Sequence, residues 1–287
     1  MAVYDRIYRG WQGRLEPAWS RFLVISRYAL QDVFRSRIFL AFFVACFLWP
    51  LVCGTAIYLH YNFEALELLE LPVTELIKID SWFFGTFFLR QQLSLAFALI
   101  LVVGPALVSP DLRNNALPLY LSRPLHKTDY VLGKLLVLVL LGSVITWIPG
   151  LVLWLLQSYL AGAEWMMGHL RVPIGIVVSS LLWIVVLSLF ALAISAWVKW
   201  RPWATIFFLA IIFVSSAIGG IFNQIYDTWA GSLLIVWDQI GVVNGALFGI
   251  DVRSQMPAVM GLAALVVLGV VSTFLLYRRI RAFEVVS

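Results

Sequence analysis

Three histidines, two cysteines and a few charges set in apolar sequence are the places where this chain could do chemistry. His60, His126 and His169 have no partner at metal-ligand spacing, and neither HExxH nor CxxC occurs. Cys46 and Cys53 lie seven apart in one apolar run and read as small buried hydrophobes, not as a disulfide framework or a metal pair. No GxSxG nucleophile elbow is present. Gly133-Lys134 lacks the upstream glycine and the following Ser/Thr of a phosphate loop, so ATP is not bound through that motif. What remains is charge inside apolar runs, which by default marks function. Arg90-Gln91-Gln92 is one such group and Asp238 another. Arg90 stands 18 residues from Val108, about 27 Å of helix. It can therefore sit at the rim of a core about 30 Å thick and snorkel outward. The other reading is a pathway-facing charge beside Gln91 and Gln92. A proton relay needs an Asp, Glu or His deep in the apolar runs, and such residues are missing there, which weakens an ion-coupled carrier.

The elements that must position these residues are helices in lipid. Of 287 residues, 62% are hydrophobic and 12% charged, and the mean hydropathy is +0.95. A soluble domain is nearer half apolar and a quarter charged. The composition implies an all-α polytopic membrane protein with a single membrane domain. About 20 apolar residues cross a bilayer as helix. Six runs qualify: 38–59, 81–108, 130–156, 172–198, 202–222 and 257–277. Residues 1–37 form a polar N-terminal region and 38–287 the membrane domain. The first 37 residues carry seven arginines and no apolar core with a cleavage site, so no removable signal peptide is expected.

Lysine and arginine set the orientation. With both termini cytoplasmic, sixteen of the twenty basic residues fall inside, from Arg6 and Arg9 through Arg113, Arg123, Lys127 and Lys134 to Arg278, Arg279 and Arg281. Nine of the fifteen acids, Glu64 to Asp80 among them, fall outside. The basic balance, with a net charge of +5, thus reflects membrane orientation and not nucleic-acid binding.

Two further helical elements are expected. Pro17–Arg37 places Trp19, Phe22, Leu23, Ser26, Ala29, Leu30, Val33 and Phe34 on one face, with Arg21, Arg27, Gln31, Asp32 and Arg35 opposite. That pattern fits an amphipathic helix lying in the cytoplasmic interface, or one packed on a partner. Gly231–Gly249 is apolar, but as a seventh span it would put Arg278, Arg279 and Arg281 outside. It would also bury Asp238, at about 2.5–3.5 kcal/mol. It reads as a re-entrant or surface-lying element before the last span. Its Gly241, Gly245 and Gly249 allow either close helix approach or loop flexibility.

The segment SPDLRNNALPLYLSRPLHKTDYVLGK, from Ser109 to Lys134, carries the strongest local signals. Ser109-Pro110-Asp111 reads as a helix start. Pro118 can open a short helix that Pro124 stops. A new helix begins near His126–Asp129, with Asp129 complementing its dipole. A turn needs only about 3–5 residues and this connection takes about 20, a length that favours function. The product is a short transverse helix between two spans, carrying Arg113, Asn114, Asn115, Tyr120 and Arg123. A partner pushing it would move both spans.

The stretch D-L-R-N-N-A-L-P-L-Y-L-S-R-P-L-x-x-x-D-Y-V-L-G-K-L, Asp111 to Leu135, resembles the permease subunits of ABC-2 type ABC transporters. It departs from that family at His126, where Ser is frequent, and the geometry of the helix cap is expected to differ there. The resemblance implies a permease with no ATPase of its own. Two permease chains would pair with two cytoplasmic ATPase chains, which hold ATP and Mg; this chain itself would carry no cofactor and no catalytic site. The helix at 114–122 would be the coupling helix, with Asp111, Arg113, Asn114, Asn115, Leu117, Leu119, Tyr120, Leu121, Arg123 and Pro124 at the ATPase contact. The interfacial helix bearing Arg21, Arg27 and Arg35 would flank it. Arg90, Gln91, Gln92 and Asp238 would lie on the pathway or at the outer rim. Family members mostly export lipids, glycans, peptides or drugs, and the location implied is the bacterial inner membrane. An anchor or mechanotransmission subunit, holding an extracytoplasmic accessory protein on its acidic outer segments, is the alternative. A stand-alone carrier or membrane enzyme is the third reading.

Overall fold

The computed structural model describes residues 20–62, 78–114, 126–252 and 254–280. Within these residues the secondary structure is helical, and six helices are long and apolar enough to cross a membrane. The first span is broken into α2 (Arg37–Ala45) and α3 (Leu48–Tyr61), after an amphipathic α1 (Arg21–Phe34). The second opens with a π-helical segment, Phe83–Leu89, and runs on as α4 (Arg90–Arg113). The third is α5 (Lys127–Ile145) and α6 (Trp147–Ala161), followed by a short α7 (Ala163–Gly168). The fourth and fifth are α8 (Arg171–Trp197) and α9 (Arg201–Tyr226). A 3₁₀ turn, Ala230–Leu234, leads into α10 (Val236–Phe248), and α11 (Ala258–Arg279) is the sixth span.

The span ends fall within about five residues of those the sequence sets. The thirteen-residue α10 is too short to cross a bilayer, and it packs on α8 and α11. A left-handed Gly249, at φ +68°, ends it, a conformation that costs glycine no Cβ clash.

The bundle is built around α8, which packs on α4, α5, α6, α10 and α11. Its apolar stretch is 61% buried against 17% for α9, so α8 is the axis and α9 a peripheral span. The close packing of α4 on α8 rests on Gly104, where a Cβ would stand 2.7 Å from that of Ala191. Trp183, fully buried on α8, donates its indole N–H to Leu93 O at 2.9 Å.

Ser109-Pro110-Asp111 does not start a helix. It lies within α4, which continues to Arg113. The neighbouring span makes this possible. Ser195 Oγ on α8 accepts from Ser109 N–H at 2.9 Å and donates to Pro105 O at 3.1 Å. Ser109 Oγ in turn donates to Val198 O at 2.7 Å. Hydroxyls thus satisfy backbone groups around two prolines, as membrane helices require.

The breaks in the first and third spans follow from prolines too. Pro50 and Pro149 have no N–H to give to the carbonyls four residues earlier, those of Cys46 and Ile145. Gln92, fully buried on α4, donates through Nε2 to both, at 3.0 Å to Cys46 O and also to Ile145 O. One side-chain amide therefore ties three spans together at the two carbonyls that the prolines release.

Candidate functional site

Residues 115–125 fall outside the described residues, and with them Asn115, Leu117, Leu119, Tyr120, Leu121, Arg123 and Pro124. What the structure does place is the two ends of that segment and everything holding them. At its start, α4 ends in Asp111, Leu112 and Arg113, and Asn114 caps it with an N–H bond to Pro110 O at 3.0 Å. At its end, α5 begins at Lys127. The His126 N–H donates to Asp129 Oδ2 at 3.0 Å, so the acid half of a capping box is present with histidine in the cap position.

The two ends are pinned to each other. Asp111 Oδ2 lies 2.9 Å from Lys134 Nζ, and the two side chains are only 17% and 8% exposed. Tyr130 Oη donates to the same carboxylate oxygen at 2.8 Å. The Lys134 ammonium also stands 5.6 Å from the centre of the Tyr130 ring. Tyr130 and Lys134 are one helical turn apart on α5, so both reach the same acid. Lys134 is held inside the bundle by this buried partner.

Gly133 completes the arrangement on the other side of α5. Ser26 of α1 donates to Gly133 O at 2.8 Å. A Cβ on Gly133 would come within 2.9 Å of Ile25 Cβ and of Phe22 O. Each half of the Gly133-Lys134 pair thus has its own task. The glycine seats α1 on α5, and the lysine seats α5 on α4.

The docked face of α1 is the expected one in part: Phe22, Leu30 and Val33 are half-buried on it, Leu30 and Val33 against the core. Ile25, Ser26 and Ala29 are buried, whereas Leu23 and Phe34 are exposed. The close approach at Gly133 selects Ile25, and Val24 and Ile25 make the helix apolar enough for either choice. Arg27 and Arg35 are exposed, the latter paired with Asp32 at 3.2 Å. Trp19 and the side chain of Arg21 lie outside the described residues. Arg113 stands 5.1 Å over the Trp200 ring, and Arg279 stands 5.3 Å over that of Trp197. This end of the bundle is therefore belted with basic and aromatic groups, as at a membrane surface.

At the opposite end, Arg90 and Asp238 line one cavity of about 710 Å³ between the π segment, α4 and α10. Gln91 is exposed and Gln92 is turned into the bundle, as described above. The histidines stand apart, with His169 stacked on Trp165 at 4.2 Å. Both cysteines are buried and free. The proline-released carbonyls and the Asp111–Lys134 pair escape a linear reading. The first are findable by counting four residues back from each intraspan proline. The second is an acid and a base just inside facing ends of consecutive spans.

No family model and no curated protein matches this chain.

Proposed function

We propose that this chain is the membrane permease of an ATP-driven ABC transporter, an exporter powered by a separate ATPase that grips residues 114–122. The observation that carries the reading is the Asp111–Lys134–Tyr130 cluster at the base of that segment. A segment whose two ends are tied by a buried ion pair cannot be pushed without moving α4 and α5 together. The seat of α1 on Gly133 adds the N-terminal helix to the same moving unit. Exposed Leu23, Val24 and Tyr28 leave α1 a second apolar side for lipid, and Arg27 suits anionic headgroups. Two such permeases pair with two ATPase chains, in a bacterial inner membrane, with both chain termini cytoplasmic.

The test is co-purification with the ATPase. Tyr120→Ala combined with Arg123→Glu abolishes ATPase association and substrate-stimulated hydrolysis while the permease still accumulates in membranes. Retention of both activities in the double variant would remove the coupling assignment. A mechanotransmission role, with an accessory protein on the acidic outer segments, predicts a pathway closed in every nucleotide state.

A further inference from the structure

The cavity that holds Arg90 and Asp238 has the features of a ligand site, independently of the transporter reading. Its volume of about 710 Å³ is within the range of small-molecule pockets. Arg90 and Asp111 are 21 residues apart along one span, about 31 Å of helix. The cavity therefore sits one hydrocarbon thickness from the charged cluster at the other end, at headgroup depth. Its wall includes a π-helical segment, a form that recurs at functional sites. Apolar surface comes from Trp82, Leu93, Trp237 and Ile240.

The charges decide the ligand. Arg90, Asp238 and Asp251 line the same space, and none of the three side chains makes an ion pair or hydrogen bond with another described residue. An anion alone would meet two carboxylates, and a cation alone would meet a guanidinium. A zwitterion satisfies both signs. Asn244 also lines the cavity, and its buried Oδ1 has no hydrogen-bond partner among the described residues. An unfilled acceptor calls for an N–H donor, which a primary ammonium has and a quaternary ammonium lacks. Trp237, packed on Trp183 and Phe97, gives that part of the wall a rigid aromatic surface.

We infer that this cavity binds the headgroup of a zwitterionic amphiphile of the phosphoethanolamine class, its phosphate at Arg90 and its primary ammonium between Asp238 and Asn244. The full chain in a non-ionic maltoside micelle is titrated with dihexanoyl phosphatidylethanolamine, phosphatidylcholine and phosphatidylglycerol, following tryptophan fluorescence. The ethanolamine lipid saturates the site, the choline lipid binds about tenfold more weakly, as one lost charge-assisted hydrogen bond requires, and the glycerol lipid does not saturate. Arg90→Gln and Asp238→Asn each weaken the ethanolamine lipid at least tenfold. Asn244→Leu brings the ethanolamine and choline lipids to equal affinity. Each variant is first shown to melt as the parent does; should Asp238→Asn not, Asp251→Asn, which removes the cavity's other carboxylate, replaces it with the same direction of effect, and Arg90→Met and Asn244→Ala replace the other two. Competition by chain-free phosphoethanolamine marks a soluble source of the headgroup, and its failure to compete marks a bilayer lipid. Equal titrations by all three lipids, or variants that titrate like the parent, would overturn the assignment.

Discussion

Asp111 Oδ2 and Lys134 Nζ lie 2.9 Å apart, joining the last turn of α4 to the second turn of α5 across a segment of proline-bounded sequence. The pair is mostly buried, so its energetics are those of removal from water. Taking away one partner leaves the other charge stranded, at about 3–5 kcal/mol, whereas replacing both with apolar groups of similar size is close to neutral. Asp111→Leu and Lys134→Met alone should therefore each lower the melting temperature in micelles markedly, and the double variant should recover most of the loss. Strict additivity of the two effects would show that the pair is not a unit. In the proposed transporter the double variant stays folded yet loses coupling, because α4 and α5 are no longer pinned where the ATPase pushes.

Gln92 supplies a second unit that a pairwise experiment can resolve. Its Nε2 serves the carbonyls of Cys46 and Ile145, released by Pro50 and Pro149. Gln92→Leu should cost about 1–2 kcal/mol, the range of interhelical hydrogen bonds in membranes. Pro149→Ala restores an N–H that can reach Ile145 O. The loss from Gln92→Leu should then be roughly half as large in the Pro149→Ala background. An unchanged loss would separate Gln92 from the break in the third span.

The six spans were legible in the sequence because lipid leaves a backbone no choice but helix, and about 20 apolar residues announce it. Their charge-marked ends were legible for the same reason. The thirteen-residue α10 is not among the six helices long enough to cross, and Asp238 was the reason to leave this stretch out of the count. Ser109-Pro110-Asp111 misled because its capping signal is local, whereas Ser195, the residue that keeps α4 going, is 86 positions away. The face of α1 was legible at Ser26, Ala29, Leu30 and Val33; it misled at Leu23 and Ile25, which are equally apolar and which only the absent Cβ of Gly133 distinguishes. Arg90 and Asp238 were each recognisable as charges in apolar surroundings. Their sharing of one cavity depends on how α10 folds back beside α4, which no spacing records.

Gly133 offers a direct handle on α1. A Cβ there would meet Ile25 Cβ and the Phe22 carbonyl at 2.9 Å, and a backbone atom cannot step aside as a flexible side-chain end can. Gly133→Val should lift α1 off α5 while the spans remain intact. Ser26 is 3% exposed, so a Ser26→Cys thiol should react slowly with maleimide in the parent and at least tenfold faster beside Gly133→Val. Cys46 and Cys53, both 0% exposed, give a low background. Equal labelling rates would mean that α1 holds to α5 without the close approach.

The orientation of the bundle can be read from its two ends. Asn114 and Asp251 are both exposed, the first beside the Asp111–Lys134 pair and the second at the rim of the Arg90 cavity. The lysine and arginine bias predicts Asn114 on the cytoplasmic side and Asp251 outside. A membrane-impermeant maleimide added to sealed right-side-out vesicles should label an Asp251→Cys variant and leave Asn114→Cys untouched. Inverted vesicles should give the opposite pattern. Labelling of Asn114→Cys from outside would place residues 115–125 away from any cytoplasmic ATPase, and the coupling proposal would fall with it. Labelling of both positions from one side would instead mean an odd number of crossings between Asn114 and Asp251 has become even, and would bring α10 back as a seventh span.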